Sequence, residues 1–344
     1  MSDYAYANAR LRAMRSRLFD RRAYDEMLGA ARMDDLIAWL DGSTWADDIE
    51  VALARYVGVR VVMEAARLNL ARTYRRMRSF LEGDALRLLD CLLARWDLAN
   101  LKAILRGQRA GAAPETILET LTPAGCLDEA ALRILARQPD PVAMAAELRL
   151  WSVEYAAALS AAWQVASASH TPHALDDTLD CLFYRRLLAG LDAGRAGDAL
   201  VRQALAREID SANVVAALRL RASSLPAAED RAAFRPGGTL GAAWLAALTR
   251  VERDEEALAR LRETPLREAL AHVERLDIGA IERALDRARA AYQAGFFRRD
   301  GLSIAPAIGY IAAKDAEAAN VRLSAQALAL GVARSRVEQD LILV

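Results

Sequence analysis

Metal binding is one chemistry that the residue types could support, and the histidines are where it would occur. His170 and His173 stand three residues apart, a spacing that can supply two ligands to one metal ion. Pro172 lies between them and no third His or Cys is close in sequence. The pair therefore favours a loop, and we predict no metal site, although the role of the two histidines stays open.

The three cysteines predict neither a disulfide framework nor a zinc site. Cys91, Cys126 and Cys181 are odd in number, lie far apart and form no C-x-x-C pair. We therefore expect buried or half-buried thiols in a reducing compartment.

Motifs for catalysis or cofactor binding are lacking in the sequence. The segment Arg235-Pro-Gly-Gly-Thr239 is similar to a phosphate loop, but no G-x-x-x-x-G-K-[ST] is present and no strand precedes it. We predict a turn there, in which glycine supplies a positive φ. No G-x-S-x-G, H-E-x-x-H or dinucleotide motif occurs. Acidic pairs such as Asp34-Asp35 are adjacent and so are typical of a solvated helix surface. The sequence predicts a binding or structural protein with no cofactor and no catalytic residue.

The elements that carry these residues are predicted to be helices. Hydrophobic residues make up 54% of the 344 positions, which is ample for a core and too many for a disordered chain. Alanine is abundant, while proline (9) and glycine (18) are scarce, so the composition indicates an all-α fold. The 46 basic and 46 acidic residues cancel, which gives no indication of nucleic-acid binding. We expect no signal peptide and no membrane-spanning helix.

A ten-residue segment occurs three times along the chain. The copies share an acid, an Asn three positions later, an aliphatic residue after it, and a final Arg or Gln; they are Asp97–Arg106, Asp210–Arg219 and Glu317–Gln326. Successive acids are 113 and 107 residues apart, too far for a stacked solenoid. The spacing predicts three similar helical domains, whose ranges are 1–113, 114–225 and 226–344, with the two terminal segments able to pack together.

Two interpretations of the repeated segment are open. In the structural one, the acid begins a helix and the Asn occupies the third position of a capping turn, where a buried amide must be hydrogen-bonded. In the functional one, the polar residues of the repeats contact a partner. The candidate contacts are Asn100, Arg106, Asn213, Arg219, Asn320, Arg322 and Gln326.

Arginine is concentrated in two places. Of the 46 basic residues only Lys102 and Lys314 are lysine. One arginine cluster accompanies the opening helix and a second precedes residue 80; they comprise Arg10, Arg12, Arg17, Arg21 and Arg22, and Arg72, Arg75, Arg76 and Arg78. A solvated helix face is the expected interpretation of both clusters, and an electrostatic landing patch is the alternative.

Several segments together resemble one known family. They are the opening Tyr4-x-Tyr6-x-Asn8-Ala-Arg-Leu-Arg-Ala13, the first repeat, Gly237-Gly238, and the run from Gly301 to Arg322. In this order the chain resembles the C subunit of the V/A-type ATPase, which is called the d subunit in eukaryotic vacuolar enzymes. It departs from the family in its near-total loss of lysine and in Pro306, where a helix in the C-terminal apolar run is expected to kink.

The resemblance implies a funnel of three pseudo-threefold helical domains without a catalytic centre. It also implies a place on the cytoplasmic face of the membrane proteolipid ring, where the chain receives the central shaft, made of the D and F subunits. Such a socket transmits torque between the ring and the ATP-processing head, with no nucleic acid and no small-molecule substrate. The coupling ion, H⁺ or Na⁺, and the direction of ATP turnover stay open.

The residues alone leave two other classes of protein. A helical scaffold or regulatory adaptor unrelated to a motor has the same composition, and a helical enzyme with scattered Arg and Tyr in its site is a further alternative.

Overall fold

The computed structural model describes residues 4–168, 174–223 and 234–344. All regular secondary structure in these ranges is helical, which confirms the predicted all-α class. The pair His170 and His173 lies outside the described residues. None of the described helices has an apolar stretch long enough to cross a membrane.

The helices are short at first and include four long ones. In chain order they are α1 (Tyr4–Arg15), α2 (Arg21–Met27), α3 (Met33–Asp41), α4 (Ala46–Leu53), α5 (Val59–Arg78), α6 (Gly83–Arg109), α7 (Pro114–Leu118), α8 (Glu129–Ala136), α9 (Pro141–Leu148), α10 (Val153–Ser167), α11 (Ala174–Ala189), α12 (Ala196–Ser223), α13 (Ala242–Leu248), α14 (Asp254–Arg262), α15 (Ile278–Ala294), the 3-10 helix η1 (Gly295–Arg298), α16 (Ala305–Ala329) and α17 (Arg334–Asp340).

The chain forms two compact units. Unit 1 contains residues 1–89 and 290–344, and unit 2 contains residues 90–289, so the boundaries fall inside α6 and α15. The division into three domains at 113 and 225 stays a prediction.

Unit 1 is built around α16, which is buried along most of its length. This helix packs against α1, α3, α5 and η1. The close approach of η1 requires Gly309, because a Cβ there would lie 2.5 Å from the backbone nitrogen of Phe297. The expected kink at Pro306 is wrong: α16 begins at Ala305, so the proline stands in the first turn, where its missing N–H costs no helical bond.

Unit 2 has an aliphatic core around the second half of α12. Val214 and Leu218 on this helix pack with residues of α13, α14 and α15, including Leu245, Leu261 and Ile281. On another side of unit 2, α10 packs against α9 and α11. A short loop of residues 190–195 separates α11, which ends at Ala189, from α12, which begins at Ala196.

The repeated segments lie inside helices and not at their beginnings. Asp97 lies within α6, Asp210 within α12 and Glu317 within α16. The prediction that these acids begin helices is therefore wrong, because the long helices start more than two turns earlier in the sequence. The capping interpretation of the repeat fails with it.

Candidate functional site

The three repeat asparagines make the same pair of hydrogen bonds. Each side-chain amide donates to a backbone carbonyl and accepts from the backbone N–H of one residue 22 positions later. Asn100 holds Thr122 in this way at 2.7 and 2.8 Å, Asn213 holds Arg235 at 2.9 and 2.9 Å, and Asn320 holds Ile342 at 2.9 and 2.8 Å. We call this arrangement the amide clamp.

In the amide clamp, the side-chain nitrogen and oxygen of each buried asparagine are both hydrogen-bonded. All three are at most 3% exposed, and the expectation that each buried amide is hydrogen-bonded is confirmed. Each partner is a segment of non-helical chain that returns to the repeat helix. A planar amide that matches a backbone N–H and C=O at once fixes the register of that segment.

The repeat acids anchor the same returning segments. Asp97 accepts the backbone N–H groups of Cys126 and Leu127, both at 2.9 Å, and the hydroxyl of Tyr155 at 3.2 Å. Burial beside this carboxylate raises the pKa of Tyr155, so the phenol stays a donor. The carboxylate is fully buried, and its bonds to backbone N–H groups compensate for the lost hydration.

The second copy repeats this acid arrangement closely. Asp210 accepts the backbone N–H of Leu240 at 3.0 Å and the hydroxyl of Thr239 at 2.6 Å. A glycine precedes the donors in both copies: a Cβ would lie 2.1 Å from an Asp97 oxygen at Gly125 and 2.3 Å from an Asp210 oxygen at Gly238. Only glycine lets the backbone come this close to the carboxylate.

The third acid takes its partners from the N-terminal part of unit 1. Glu317 accepts the backbone N–H of Phe19 at 2.8 Å and the indole N–H of Trp45 at 3.0 Å. Lys314 forms a buried ion pair with the same carboxylate, and its ammonium lies 5.0 Å from the centre of the Trp45 ring. The acid thereby ties residues near both ends of the sequence to one buried position.

The segment that is similar to a phosphate loop is a turn fastened by side chains. The predicted positive φ is confirmed at Gly237, where φ is 96°. The backbone of Arg235 lies in the second amide clamp. Its guanidinium donates to Asp180 at 2.6 and 3.1 Å. The turn therefore contributes to the packing of unit 2, with its charged side chain already paired.

A buried ion-pair network joins this turn to two helices of unit 2. Asp180 on α11 also accepts from the ammonium of Lys102 on α6, at 2.8 and 3.0 Å. Burial lowers the pKa of the Arg235 guanidinium, but the nearby Asp180 carboxylate raises it. The net result is a raised pKa, so the guanidinium stays charged. The two cations and the hydrogen bonds compensate for the desolvation of this carboxylate.

Glu208, a half-buried carboxylate of the same unit, is the centre of another polar network. Glu208 on α12 accepts the hydroxyl of Tyr184 at 2.9 Å and pairs with Arg95 at 3.2 Å. Burial raises its pKa, but Arg95 and Arg289 more than offset this, so the pKa of Glu208 is lowered and the group is ionised. Burial and Glu208 raise the pKa of Tyr184. Every group here is held in one charge state, as suits a structural network.

The remaining predicted contact residues lie at the surface or near it. Arg106 and Arg219 are exposed and pair with Asp176 at 3.6 Å and Glu282 at 2.9 Å. Gln326, at the same repeat position, is exposed. Arg322 is half-buried, and burial lowers its pKa against the opposing effect of Asp315. The role of all seven residues as partner contacts stays a prediction. The side-chain amides of the three buried asparagines already form hydrogen bonds within the chain.

Metal ligation and thiol chemistry find little support in the described ranges. Among those residues no group of three or more His, Cys, Asp or Glu side chains has the geometry of a metal site. The expected thiols are confirmed, with Cys181 buried and Cys91 and Cys126 half-buried. Burial, assisted by Asp180, raises the pKa of the Cys181 thiol to about 11.

Comparison with known protein families identifies one family that covers nearly the whole chain. Residues 7–340 match the family described as ATP synthase (C/AC39) subunit. The chain belongs to this family. The resemblance to the C subunit of the V/A-type ATPase is thereby confirmed.

Named relatives of this C/AC39 chain come from bacteria and archaea. It is 28% identical to the C subunit of the A-type ATP synthase of Haloquadratum walsbyi, with 98% of both chains covered. It is 25% identical to the C subunit of the A-type enzyme of Methanosarcina mazei, over all of this chain and 94% of that protein. The C subunit of the V-type ATP synthase of Deinococcus radiodurans is 32% identical over 70% of this chain and 66% of its own length.

The sequence of this C/AC39 chain did not by itself reveal the hydrogen-bond partners of the repeat acids or the ion pairs of the two lysines. Lys102 and Lys314, the only two lysines, are both paired with buried carboxylates. Their rarity among the arginines was the available signal. The roles of Asp97, Asp210 and Glu317 depend on partners far away in sequence, and only the recurrence of the acid pointed to them.

Proposed function

We propose that this chain is the non-catalytic coupling subunit in the central stalk of a V/A-type rotary ATPase. In this role it is a socket that joins the shaft, made of the D and F subunits, to the membrane proteolipid ring and transmits torque for ATP-coupled transport of H⁺ or Na⁺. It would then be a peripheral protein on the cytoplasmic face, held there by the ring. The observation that carries the proposal is the family match over residues 7–340, with relatives named as C subunits of ATP synthases.

We also propose that the chain consists of three copies of one helical domain. The support is the amide clamp, in which three asparagines each bind a residue 22 positions later through the same two atoms. In the first two copies the acid and the close glycine recur as well. The third copy would take the Phe19 and Trp45 donors in place of the missing equivalents, which makes it discontinuous in sequence.

A torque-transmitting part must resist deformation, and the buried polar groups provide resistance. The clamps fix returning segments to long helices, and the carboxylates of Asp180, Glu208 and Glu317 each join two or more elements. Breaking one buried pair costs about 3–5 kcal/mol, because it leaves an uncompensated charge. Small local displacements are therefore opposed by steep energy changes.

Binding to the isolated parts of the motor tests this function. The full chain is mixed with the proteolipid ring in detergent and, separately, with the D–F shaft complex, and each mixture is analysed by size-exclusion chromatography. We expect a complex with each part, and a ternary complex when all are present. The chain alone should hydrolyse no ATP above the background of a mock purification.

A functional readout complements the binding experiment. A rotary complex assembled without this chain is reconstituted into vesicles, and ATP hydrolysis and ion uptake are measured together. We expect ion uptake per ATP to be restored only when the chain is added back. If the chain binds neither ring nor shaft and does not restore uptake, the socket is refuted, and the helical scaffold or adaptor becomes the better assignment.

A further inference from the structure

Helix α1 packs on the loop between η1 and α16 in unit 1. Asn8 donates to the carbonyl oxygens of Gly301 and Ser303 at 2.7 and 3.1 Å and so fixes the helix on this loop. One turn later, Arg12 Nη2 lies 3.0 Å from the position that a Cβ on Gly301 would occupy. The guanidinium of Arg15 stacks on the ring of Phe297, 4.2 Å from its centre.

These contacts bring arginines together without acids. Arg12, Arg15 and Arg298, which we call the arginine trio, form no ion pair with any described residue. Asp300, next in the loop, directs an oxygen to the backbone N–H of Leu302 at 2.9 Å and pairs with none of them. Burial and the positive charge of Arg298 both lower the pKa of Arg15, as expected where like charges are neighbours.

Three other arginines of the same unit form ion pairs within the chain. Arg21 and Arg22 bind Asp25 and Glu26 at 3.0 Å, and Arg72 binds Asp48 at 2.6 Å. The expected solvated helix face thus describes these three exposed residues well. The arginine trio differs from these three because it forms no ion pair with a described residue and one of its members stacks on an aromatic ring.

The helix dipole accounts for only part of the trio. Arg12 and Arg15 lie in the last turn of α1, where positive charge is favourable. Arg298 ends a four-residue 3-10 helix, whose dipole is small, and it adds repulsion beside Arg15. A stabilising role within the chain therefore leaves the third arginine unexplained.

We propose that the arginine trio docks an acidic segment of a protein partner in the rotary assembly, an inference that rests on the proposed function. Carboxylates of the partner would bind the guanidinium groups in the bidentate manner that Arg favours. The ring of Phe297 beside Arg15 and the exposed side chain of Leu302 (69%), which follows Gly301 in the loop, would supply apolar contact. Arginine and aromatic residues next to an exposed aliphatic side chain are typical of protein interfaces.

A protein partner fits this surface better than an anionic membrane does. Sequence clusters that hold proteins on acidic lipids usually contain about four to eight cations that reach the headgroups freely. Here there are three, and Arg15 is committed to stacking on Phe297. The chain as a whole has no net positive charge to add.

The test compares two double variants of equal charge change. Arg12→Glu with Arg298→Glu reverses exposed members of the trio, and Arg22→Glu with Arg32→Glu is the control, because both of those arginines are exposed and outside the trio. Each full-length variant is titrated against the D–F complex and against the detergent-solubilised ring at low and high NaCl. Vesicles of neutral and acidic phospholipid form a third arm, and circular dichroism checks the fold.

We expect the trio variant to bind the shaft or the ring about tenfold or more weakly than the wild type at low salt, with the difference shrinking at high salt. The control variant should bind within about twofold of the wild type. Equal affinities of the two variants would overturn the docking proposal while leaving the socket intact. A loss seen only with acidic vesicles would also overturn it, in favour of a membrane contact. If the wild type binds neither protein, the proposed function itself fails.

Discussion

The amide clamp of Asn213 makes a quantitative prediction for the substitution Asn213→Ala. Asn213 is 2% exposed and makes two hydrogen bonds of 2.9 Å to the backbone of Arg235. The substitution removes both bonds and leaves a backbone N–H and a C=O without their partner. Each lost bond has a net worth of about 1 kcal/mol, and orphaned buried groups cost more, so we expect unit 2 to lose about 2–4 kcal/mol.

Urea unfolding of the full chain, followed by circular dichroism, measures this free energy. Hydrogen exchange with mass spectrometry adds a local probe, because the Arg235 amide should lose protection while the Thr122 amide, held by Asn100, keeps it. Gln326→Ala is the control, since it removes an exposed amide and should change stability by less than about 0.5 kcal/mol.

The substitution Asn213→Asp separates the two halves of the clamp. The new carboxylate still accepts the Arg235 N–H but faces the Arg235 carbonyl oxygen without a proton to donate. Its folded-state pKa should be raised, because only the protonated form can donate, so the variant regains stability relative to the wild type as pH falls. The reasoning is refuted if Asn213→Ala costs no more than Gln326→Ala, or if the deficit of Asn213→Asp is independent of pH.

Three further substitutions have defined outcomes. Gly238→Ala should cost about 1–3 kcal/mol in urea unfolding, because its Cβ would lie 2.3 Å from a buried carboxylate oxygen; Gly241→Ala, which meets open space, should be near neutral, and equal costs would contradict the steric argument. Lys314→Met leaves the buried Glu317 without its cation and should lower the unfolding free energy of unit 1 by about 3–5 kcal/mol. Adding Glu317→Gln should recover part of that loss, and no recovery would argue against a charge effect. Glu208→Gln should destabilise at neutral pH, with the deficit shrinking as pH falls below the ordinary carboxyl pKa of 4.5, because the folded-state pKa is lowered. A deficit that stays constant down to acid pH would show that ionisation of this group is not what stabilises the fold.

Much of the helical architecture could be predicted from composition and breakers. The chain folds into helices, as its alanine content indicates, and the turn at Gly237 has the positive φ that was predicted there. These features depend on local backbone preferences, which the sequence displays directly. The expected kink at Pro306 failed because it depended on where α16 begins, and helix boundaries are set by packing as well as by propensity.

The polar centres were harder to predict. The recurrence of Asn100, Asn213 and Asn320 identified three equivalent segments, yet gave no sign that each amide would bind a backbone residue beyond the helix. Asp180 and Lys102 are 78 residues apart, and no periodicity connects them. Their pairing follows from the packing of helices, which brings distant residues into contact.

The sequence by itself determined the helical class, the three-copy segment and the likeness to the C/AC39 family, because each is written in local composition or in residue order. Only the tertiary structure decided which polar side chains form hydrogen bonds within the fold and which remain at the surface without an ion pair. Asn213 and Arg12 are both polar residues on predicted helices, but one is clamped in the core and the other lies in the arginine trio. The physical reason is hydration. A buried polar group has lost its water and needs a hydrogen-bond partner within the fold, whereas an exposed charge stays hydrated and is available to another molecule.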